Sequence, residues 1–451
     1  MTSRYHRFTK EDAETFLPKD PVVNKHTEKT TRIPLDPKFP EAGAYCTEEQ
    51  LAYTLRYVYP SIFCCSQLLV GQKSLIAYTT AGLFGTGDRD PHHLGAGHVH
   101  YEGPPGTGKT YLGTTPRRIF SCDFGRIQCV ADTIPSDILG SRVIDFETND
   151  NAEMAQLVGD DPSEFMRAAR FIAREIGKGN QQKYYRLIKG PAFSDITLYD
   201  EANRMPERSQ SAMLEPMSED QITLFGETIP VSVFAILTTN PHETGSVVPF
   251  GKALRDRLMF SIYAEGFKAK DYAEILKRTQ HAEDIELPVL GTMKNVITAR
   301  RYFHHNIAIS DENRLFIGAI LERIKSPWLF PGMMRRFADD PKTALLYKLF
   351  SGREREGQIS GAVEGRGATH LEGAARMLAV FNYRTYVTRD DIIKVLPPVC
   401  AHRMDFAPSL LAQYMYEKNI MLRSKGNRAL ASDIIKAASI DAERATDTDG
   451  T

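Results

Sequence analysis

The segment Gly103–Thr110, Gly-Pro-Pro-Gly-Thr-Gly-Lys-Thr, constrains the fold of this chain more than any other stretch. It matches the pattern G-x-x-x-x-G-K-[ST], in which glycines let successive backbone N–H groups curl around an anion. Such a loop joins a strand to the N-terminus of a helix, where the helix dipole favours negative charge. Residues 98–102 read as a short strand, and a helix begins at Tyr111. The sequence therefore predicts an α/β fold that binds ATP or a close relative.

Several side chains of this phosphate loop have separate predicted roles. Lys109 supplies a positive charge for the β- and γ-phosphates, and the hydroxyl of Thr110 is a ligand for Mg²⁺. The loop residues expected to contact the nucleotide are Pro105, Gly106, Thr107, Gly108, Lys109, Thr110 and Tyr111. The expected cofactors are therefore ATP and Mg²⁺. The alternative is a surface turn rich in glycine and proline that matches the pattern by chance.

Four more apolar runs predict the remaining strands, at 126–130, 196–199, 233–237 and 258–262. Helical stretches alternate with them, which is typical of a parallel sheet covered on both faces. Asp200 and Glu201 follow the second of these runs. Because carboxyl ends of parallel strands share one edge, these acids should lie beside the phosphate loop. We expect Asp200 to hold Mg²⁺ through water and Glu201 to polarise the attacking water.

Two further residues complete the predicted hydrolytic site. Asn240 ends the next strand, so its amide is expected to contact the γ-phosphate and the attacking water. The alternative is a turn formed by Asn240 with Pro241. Arg257 lies in Arg255-Asp256-Arg257, where a sheet of this kind would meet its neighbour in a ring. Its guanidinium would then stabilise the transition state in trans, with a surface salt bridge as the alternative.

Composition narrows the class of protein. The 451 residues carry a formal net charge of −1, so no strong positive field indicates nucleic acid or an anionic membrane. The six cysteines lack metal-ligand spacing, which favours reduced thiols in a cytoplasmic protein. No apolar run approaches the ~20 residues that cross a bilayer, and no signal peptide is visible. The histidines His92, His93 and His98 read as part of a solvated loop, with a metal site as the alternative.

The ordered series of motifs resembles the MoxR family of AAA+ ATPases, over residues 65–404. The matching segments are Leu69–Gln72, His98–Thr110, Ile134–Gly140, Asp200–Arg204, Gln210–Glu215, Gly226–Thr228, Tyr386–Asp391 and His402-Arg403. The resemblance implies a five-stranded parallel sheet sandwiched by helices, followed by a smaller all-α lid domain. It also implies a homo-oligomeric ring, usually a hexamer, that remodels or matures protein complexes. Partners with a von Willebrand factor A domain and insertion of a metal or cofactor are typical of the family.

The residue patterns and the resemblance together give a domain division. They predict an N-terminal extended arm (1–45), an α/β nucleotide-binding core (46–265), an α-helical lid (266–405) and a C-terminal helical extension (406–451) with a disordered tail from Ala445. The core would contain an insert in its second helix (134–187) and a hairpin (221–231) turning at Gly226-Glu227. Val70 and Gly71 would border the adenine. The region 48–82 reads as helical with an interruption near Pro60.

Two departures from the family pattern bear on function. The insert is longer by residues 146–182, in which 163–177 reads as an amphipathic helix that packs on its own subunit or handles substrate. The family's second sensor has an arginine that is missing near 367–371, and Arg366 or Arg376 is the candidate replacement.

Three functions stay open at this point. The first is ATP-driven remodelling of a protein client, the second a nucleic-acid motor, and the third a structural ring with little turnover. Glu227 at the expected hairpin turn, in place of a lysine, argues against binding to DNA. Glu201 and Asn240 argue against a ring without turnover. We therefore predict an ATP hydrolase that acts on protein and does not insert into membranes.

Overall fold

A computed structural model of the chain describes residues 53–86, 95–144, 185–241, 247–279, 287–341, 343–352, 358–359 and 363–448. The predicted N-terminal arm, the extra segment 146–182 and the histidines at 92 and 93 lie outside these ranges. Within the described part of the chain, no helix has the length and apolar character needed to cross a membrane.

A parallel sheet forms the centre of the structure. In chain order the strands are β1 (Val99–Glu102), β2 (Phe120–Ser121), β3 (Phe124–Gln128), β4 (Gly140–Ile144), β5 (Tyr185–Lys189), β6 (Ile196–Asp200), β7 (Gln221–Leu224), β8 (Glu227–Pro230), β9 (Phe234–Thr239), β10 (Phe260–Tyr263) and β11 (Gly291–Thr292). The central sheet has five strands in the order β10-β1-β9-β6-β3, and each neighbouring pair is parallel. The predicted fold class is confirmed, although β3 begins at Phe124 rather than at Arg126.

Helices surround this sheet and make up the C-terminal half. They are α1 (Tyr59–Leu68), α2 (Lys73–Phe84), α3 (Lys109–Thr114), α4 (Pro116–Ile119), α5 (Pro135–Leu139), α6 (Glu207–Ala212), α7 (Leu214–Ser218), α8 (Lys252–Arg257), α9 (Ala269–Thr279), α10 (Met293–Asn306), α11 (Asp311–Lys325), α12 (Pro331–Asp339), α13 (Ala344–Phe350), α14 (Gly365–Phe381), α15 (Arg389–Cys400), α16 (Pro408–Glu417) and α17 (Arg423–Thr448). The helix α17 continues to Thr448, so the prediction of a disordered tail from Ala445 is wrong up to that residue.

The two faces of the sheet pack into different hydrophobic cores. Every residue of β6 and β9 is buried, which explains their almost continuous apolar sequences. Side chains alternate along a strand, so Leu198 joins the core that includes α2 and the C-terminal helices. Its neighbour Tyr199 joins the second core with Met213 of the α6–α7 connection and Leu254 of α8. Burial on both faces leaves the carboxyl edge of the sheet as the place for polar chemistry.

The first helical region changes geometry beside Pro60, where the sequence predicts an interruption. A π-helix (Thr54–Val58) runs directly into α1, and Pro60 is the second residue of α1. A second break falls between α1 and α2, where Gly71 adopts a φ of +76°. This left-handed conformation favours glycine and turns the chain toward the phosphate loop.

Two antiparallel strand pairs, β4–β5 and β7–β8, lie outside the central sheet. The β7–β8 hairpin falls within the predicted range, but its turn residues are Phe225 and Gly226, with φ of 53° and 83°. The predicted turn at Gly226-Glu227 is therefore displaced by one residue. Arg142 of β4 connects the two pairs, because its guanidinium is 3.1 Å from a carboxylate oxygen of Glu227 and 4.9 Å from the Phe225 ring centroid.

Candidate nucleotide site

The phosphate loop connects β1 to α3 and depends on glycine at two positions. Gly106 and Gly108 have φ of +77° and +84°, a region that side-chain-bearing residues rarely adopt. A Cβ on Gly108 would also lie 2.3 Å from Cδ1 of Leu69. The ammonium of Lys109 donates to the carbonyl oxygens of Gly103 and Pro104, both at 2.7 Å. The loop therefore encloses a buried cation at the carboxyl end of β1.

The segment between α1 and α2 lies against this loop. Leu69 contacts Gly108, and the side-chain amide of Gln72 donates to the carbonyl of Glu265 just after β10 at 2.7 Å. Val70 and Gly71 are held between these two contacts. The structure thus places both residues beside the phosphate loop, and their contact with adenine stays a prediction. On the helix that follows the loop, Tyr111 is exposed and its hydroxyl accepts a hydrogen bond from Arg118.

Asp200, at the end of β6, is held by three hydrogen-bond donors and is only 5% exposed. Its Oδ1 accepts from the hydroxyls of Thr110 at 2.9 Å and Thr238 at 2.6 Å. Its Oδ2 accepts from a guanidinium nitrogen of Arg126 on β3 at 2.8 Å. Hydrogen bonds to a carboxylate are stronger than neutral ones, so the network fixes this group next to the phosphate loop.

Glu201 follows in a conformation that is uncommon for its residue type. Its φ and ψ are 56° and 43°, the left-handed helical region. The backbone N–H of Glu201 donates to the Thr238 hydroxyl at 3.0 Å, and its carboxylate lies 2.9 Å from Nε of Arg204. Backbone geometry of this kind persists where surrounding contacts over-determine it. Thr238 therefore links both acids to the neighbouring strand β9.

Asn240 directly follows β9, which lies between β1 and β6 in the sheet. The backbone N–H of Gly103 donates to the carbonyl of Thr239 at 3.3 Å, so the phosphate loop and the Asn240 backbone are adjacent. His100 of β1 bridges its two neighbouring strands, β10 and β9. Its Nδ1 lies 2.8 Å from the Ser261 hydroxyl, and its Nε2 lies 2.8 Å from the Thr239 hydroxyl. Burial lowers the pKa of His100 to about 3, so it is neutral at pH 7.

His98, at the opposite end of β1, has both ring nitrogens in hydrogen bonds. Its Nε2 donates to the carbonyl of Met217 at 2.8 Å, and its Nδ1 accepts from the Ala235 N–H at 3.1 Å. Burial lowers the pKa of this histidine to about 4. These contacts explain His98 as a structural residue of the sheet. Among the described residues, no group of three or more His, Cys, Asp and Glu side chains could hold a metal ion.

The arginines predicted from sequence lie in different places. Arg257 Nε donates to the Leu214 carbonyl at 3.0 Å and to the Ser218 hydroxyl at 3.1 Å. Arg366 pairs with Asp256 at 3.1 Å and lines the same polar cavity as Arg257, together with His98. This cavity is at the amino end of β1, so the length of that strand, about 13 Å, separates it from the phosphate loop.

Arg376 makes its hydrogen bonds within the helical half of the molecule. Its guanidinium donates to the carbonyl of His304 and to a carboxylate oxygen of Glu372, both at 2.6 Å. Of the two candidates for the second-sensor arginine, only Arg366 therefore lies near Arg257.

Comparison with known proteins agrees with this geometry. The family model described as "ATPase family associated with various cellular activities (AAA)" matches residues 98–159 and 166–260, and the model described as "AAA lid domain" matches 354–415. Chaperone MoxR1 of Mycobacterium tuberculosis is 27% identical over 379 residues, which cover 83% of this chain and 81% of that protein. Protein MoxR of Paracoccus denitrificans is 25% identical over 320 residues, 69% of this chain and 81% of that protein. The chain belongs to the MoxR family of AAA+ ATPases.

A solved structure from Cytophaga hutchinsonii supports the fold of this MoxR-family chain. The two superpose with a TM-score of 0.60 at 23% sequence identity, covering 84% of this chain and 96% of the other. As a member of the family the protein binds nucleotide and hydrolyses ATP. The structure gathers Lys109, Thr110, Asp200 and Glu201 at one edge of the sheet, with Asn240 on the adjacent strand end. It places Arg257 at the other edge.

Sequence reasoning missed three side chains of this MoxR site. Thr238 could have been found, because it is one of the two threonines that end the otherwise apolar buried strand β9, directly before Asn240. Arg126 belongs to an exposed position of β3, where a charged residue gives no signal by itself. Arg204 follows the two acids closely, yet only the left-handed backbone of Glu201 directs the carboxylate toward it.

Proposed function

We propose that this MoxR-family ATPase works as a homo-oligomeric ring of six subunits. The ring couples ATP hydrolysis to remodelling or maturation of a protein complex. The observation that carries the proposal is the clustering of Lys109, Thr110, Asp200 and Glu201 at the carboxyl edge of one parallel sheet. Open α/β sheets bind their ligands at this edge. Adjacent strand ends and one loop of a single subunit therefore supply the phosphate-binding cation, the metal ligands and the water-orienting acid that phosphoryl transfer to water needs.

The residues present fit a Mg²⁺ ion bound together with a nucleotide. Thr110 and Asp200 already share a hydrogen bond of 2.9 Å, and they are oxygen donors of the type that Mg²⁺ prefers. Mg²⁺ would neutralise charge on the β- and γ-phosphates. In the proposed site Lys109 binds these phosphates, Glu201 orients the attacking water, and Asn240 contacts the γ-phosphate and that water.

Arg257 is proposed to act on the nucleotide of a neighbouring subunit. It is separated from its own phosphate loop by the length of β1, and the hydrogen bonds that its Nε donates to Leu214 and Ser218 of the same subunit hold its guanidinium in place. Arg366 lines the same cavity and carries a second positive charge. Two arginines on one surface match the charge that develops on transferring phosphoryl groups. The arrangement gives a physical reason for assembly into a ring.

A polypeptide is the proposed client of the ring. Phe225 at the tip of the β7–β8 hairpin is 53% exposed, and Glu227 beside it pairs with Arg142. A tip with an aromatic ring and an acid suits protein better than the phosphate backbone of a nucleic acid. The name of the relative Chaperone MoxR1 points the same way. The resemblance adds a cytoplasmic location, a partner with a von Willebrand factor A domain and a role in metal or cofactor insertion to the proposal.

Phosphate release from Mg-ATP tests the proposed roles. Glu201→Gln should retain ATP and lose turnover by about 10²–10⁴-fold, because it removes the water-orienting carboxylate and leaves the phosphate loop intact. Lys109→Ala should lose ATP binding. Glu207→Gln is the matched control, since it neutralises an exposed acid of α6 and should behave like wild type. Wild-type turnover by Glu201→Gln would refute the assignment of the acid.

Two further measurements address assembly and client. Analytical ultracentrifugation with Mg-ATP should show a ring-sized species, and a protein that stays monomeric would refute the ring. Affinity capture with Glu201→Gln, held in its ATP state, should enrich client proteins relative to Lys109→Ala. Equal recovery with both variants would contradict nucleotide-dependent client binding.

A further inference from the structure

The last helix, α17, contacts the strand that enters the phosphate loop. Arg428, in the second turn of α17, forms an ion pair with the carboxylate of Glu102, the final residue of β1. The Arg428 guanidinium also lies 4.1 Å from the ring centroid of Tyr263, the final residue of β10. Because Glu102 of β1 lies opposite Tyr263 of β10, Arg428 contacts the ends of two neighbouring strands. These contacts join segments that are distant in sequence.

The same helix is fixed to the helical half of the molecule. Its apolar face, with Leu430, Ile434 and Ala438, is fully buried in the large core. Near its far end, Asp441 pairs with Arg323 of α11 at 2.8 Å, and both side chains are at least 85% buried. A straight helix between Arg428 and Asp441 spans ~20 Å. The helix α17 is therefore a rigid connection whose two ends are held by charged contacts.

Glu102 stands immediately before the loop that binds phosphate. The next residue, Gly103, accepts a hydrogen bond from the Lys109 ammonium through its carbonyl and donates to Thr239 through its N–H. A displacement of Glu102 therefore also moves the Gly103 carbonyl oxygen, which accepts the hydrogen bond from Lys109. An ion pair on Glu102 acts on the nucleotide site through the backbone, without touching the nucleotide.

We propose that Arg428 is a positioning residue for the phosphate loop and that α17 couples the helical half of the protein to nucleotide affinity. Because the helix is rigid, a rotation of the helical half relative to the sheet must either break the Arg428–Glu102 pair or displace the end of β1. The matched AAA lid segment ends at residue 415, so α17 lies beyond it. The inference rests on the proposed nucleotide site at Lys109 and adds a control of its affinity.

Titration with a fluorescent methylanthraniloyl-ADP in Mg²⁺ buffer tests the coupling. Arg428→Gln and Glu102→Gln should each raise the Kd by about three- to tenfold, and the double variant should be no weaker than either single one. In steady-state ATP hydrolysis, KM should rise by a similar factor while kcat changes little. Arg423→Gln, at an exposed position of the same helix, is the matched control and should bind like wild type.

Several results would overturn the proposal. Wild-type Kd in both single variants would do so, as would a double variant whose loss equals the product of the two single losses. A lowered melting temperature with unchanged Kd would show that the pair is structural only. If Arg428→Gln does not fold, Glu102→Gln tests the same pair from the sheet side. Lys109→Ala in the same assay separates the two ideas, because full binding by that variant would refute the nucleotide site itself.

Discussion

Thr238→Val provides a sharp test of how the two acids are held. The Thr238 hydroxyl is almost fully buried, donates to Asp200 at 2.6 Å and accepts from the Glu201 N–H at 3.0 Å. Valine keeps the shape and removes both contacts. A hydrogen bond to a charged group contributes about 1.5–3 kcal/mol, and an unsatisfied N–H adds a further cost. We therefore expect a loss of about 2–4 kcal/mol in the free energy of unfolding.

Thr197→Val is the matched control for this change. Thr197 is on the adjacent strand β6, is fully buried and donates at 2.8 Å to the neutral carbonyl of Pro191, which also accepts from Ser194. Losing one neutral hydrogen bond should cost about 1 kcal/mol. Urea denaturation at equal m-values compares the two variants directly, because the midpoint then reports stability alone.

The two variants should also differ in activity. Thr238→Val frees the backbone of Glu201 from β9, and a small misplacement of a reacting group costs about ten- to hundredfold in kcat. Its nucleotide Kd should stay close to wild type, since Lys109 and the loop are unchanged. Thr197→Val should turn over normally. If Thr238→Val is no less stable than Thr197→Val and hydrolyses ATP at the wild-type rate, the bridging role of the hydroxyl is refuted.

Three further predictions follow from contacts of the same site. Gly106→Ala should cost about 1–2 kcal/mol of backbone strain, whereas Gly108→Ala should weaken nucleotide binding more in a fluorescence titration, because its Cβ would also displace Leu69. Burial holds the pKa of His100 at about 3 against an ordinary 6.5, so the unfolded chain binds its proton first as the pH falls. His100 should therefore reduce stability by about 1.4 kcal/mol per pH unit as the pH falls from about 6.5 toward 3, and urea titrations at pH 7 and pH 5 should show a shallower dependence for His100→Gln. Arg257→Ala should keep nucleotide affinity in the isolated subunit and lose turnover in the ring, and an equal loss in a monomeric form would assign it a role in cis.

Local sequence determined much of the site in advance. Gly103–Thr110 predicts its own loop, because glycine spacing and the flanking strand and helix are properties of adjacent residues. Asp200 could be placed beside that loop because an acid at the end of an apolar strand lies at the carboxyl edge of a parallel sheet. The family resemblance then implied a five-stranded parallel sheet followed by a helical lid. These inferences needed no knowledge of contacts between distant residues.

The corrections arise where tertiary contacts override local preference. Phe225 adopts a φ of 53°, which costs about 1–2 kcal/mol for a residue of its type. The Arg142 guanidinium 4.9 Å from its ring offsets part of that cost, and β4 contributes this arginine from another strand pair. This outcome cannot be seen in the sequence of the hairpin itself.

Contacts across long sequence separations were beyond prediction altogether. Arg126 reaches Asp200 across 74 positions, and Arg428 reaches Glu102 across 326. A lone arginine in a strand or helix has the same appearance whether its partner is water or a site residue. For the same reason the sequence could not choose between Arg366 and Arg376. Only the packing of α14 shows that one faces Asp256 beside Arg257 while the other is bonded to His304.

The positions of the charged side chains explain why assembly into a ring should affect nucleotide binding and ATP hydrolysis differently. In the proposed assembly, one subunit holds the cations and acids that are expected to contact nucleotide at the carboxyl edge of its sheet, around Lys109 and Asp200. It holds Arg257 and Arg366 about one strand length away, at the amino edge. No rotation of a side chain spans that distance, because an extended arginine reaches only about half of it. On these proposals, nucleotide affinity is a property of the single chain, tuned through Glu102 and α17, whereas the transition-state charge needs a second subunit.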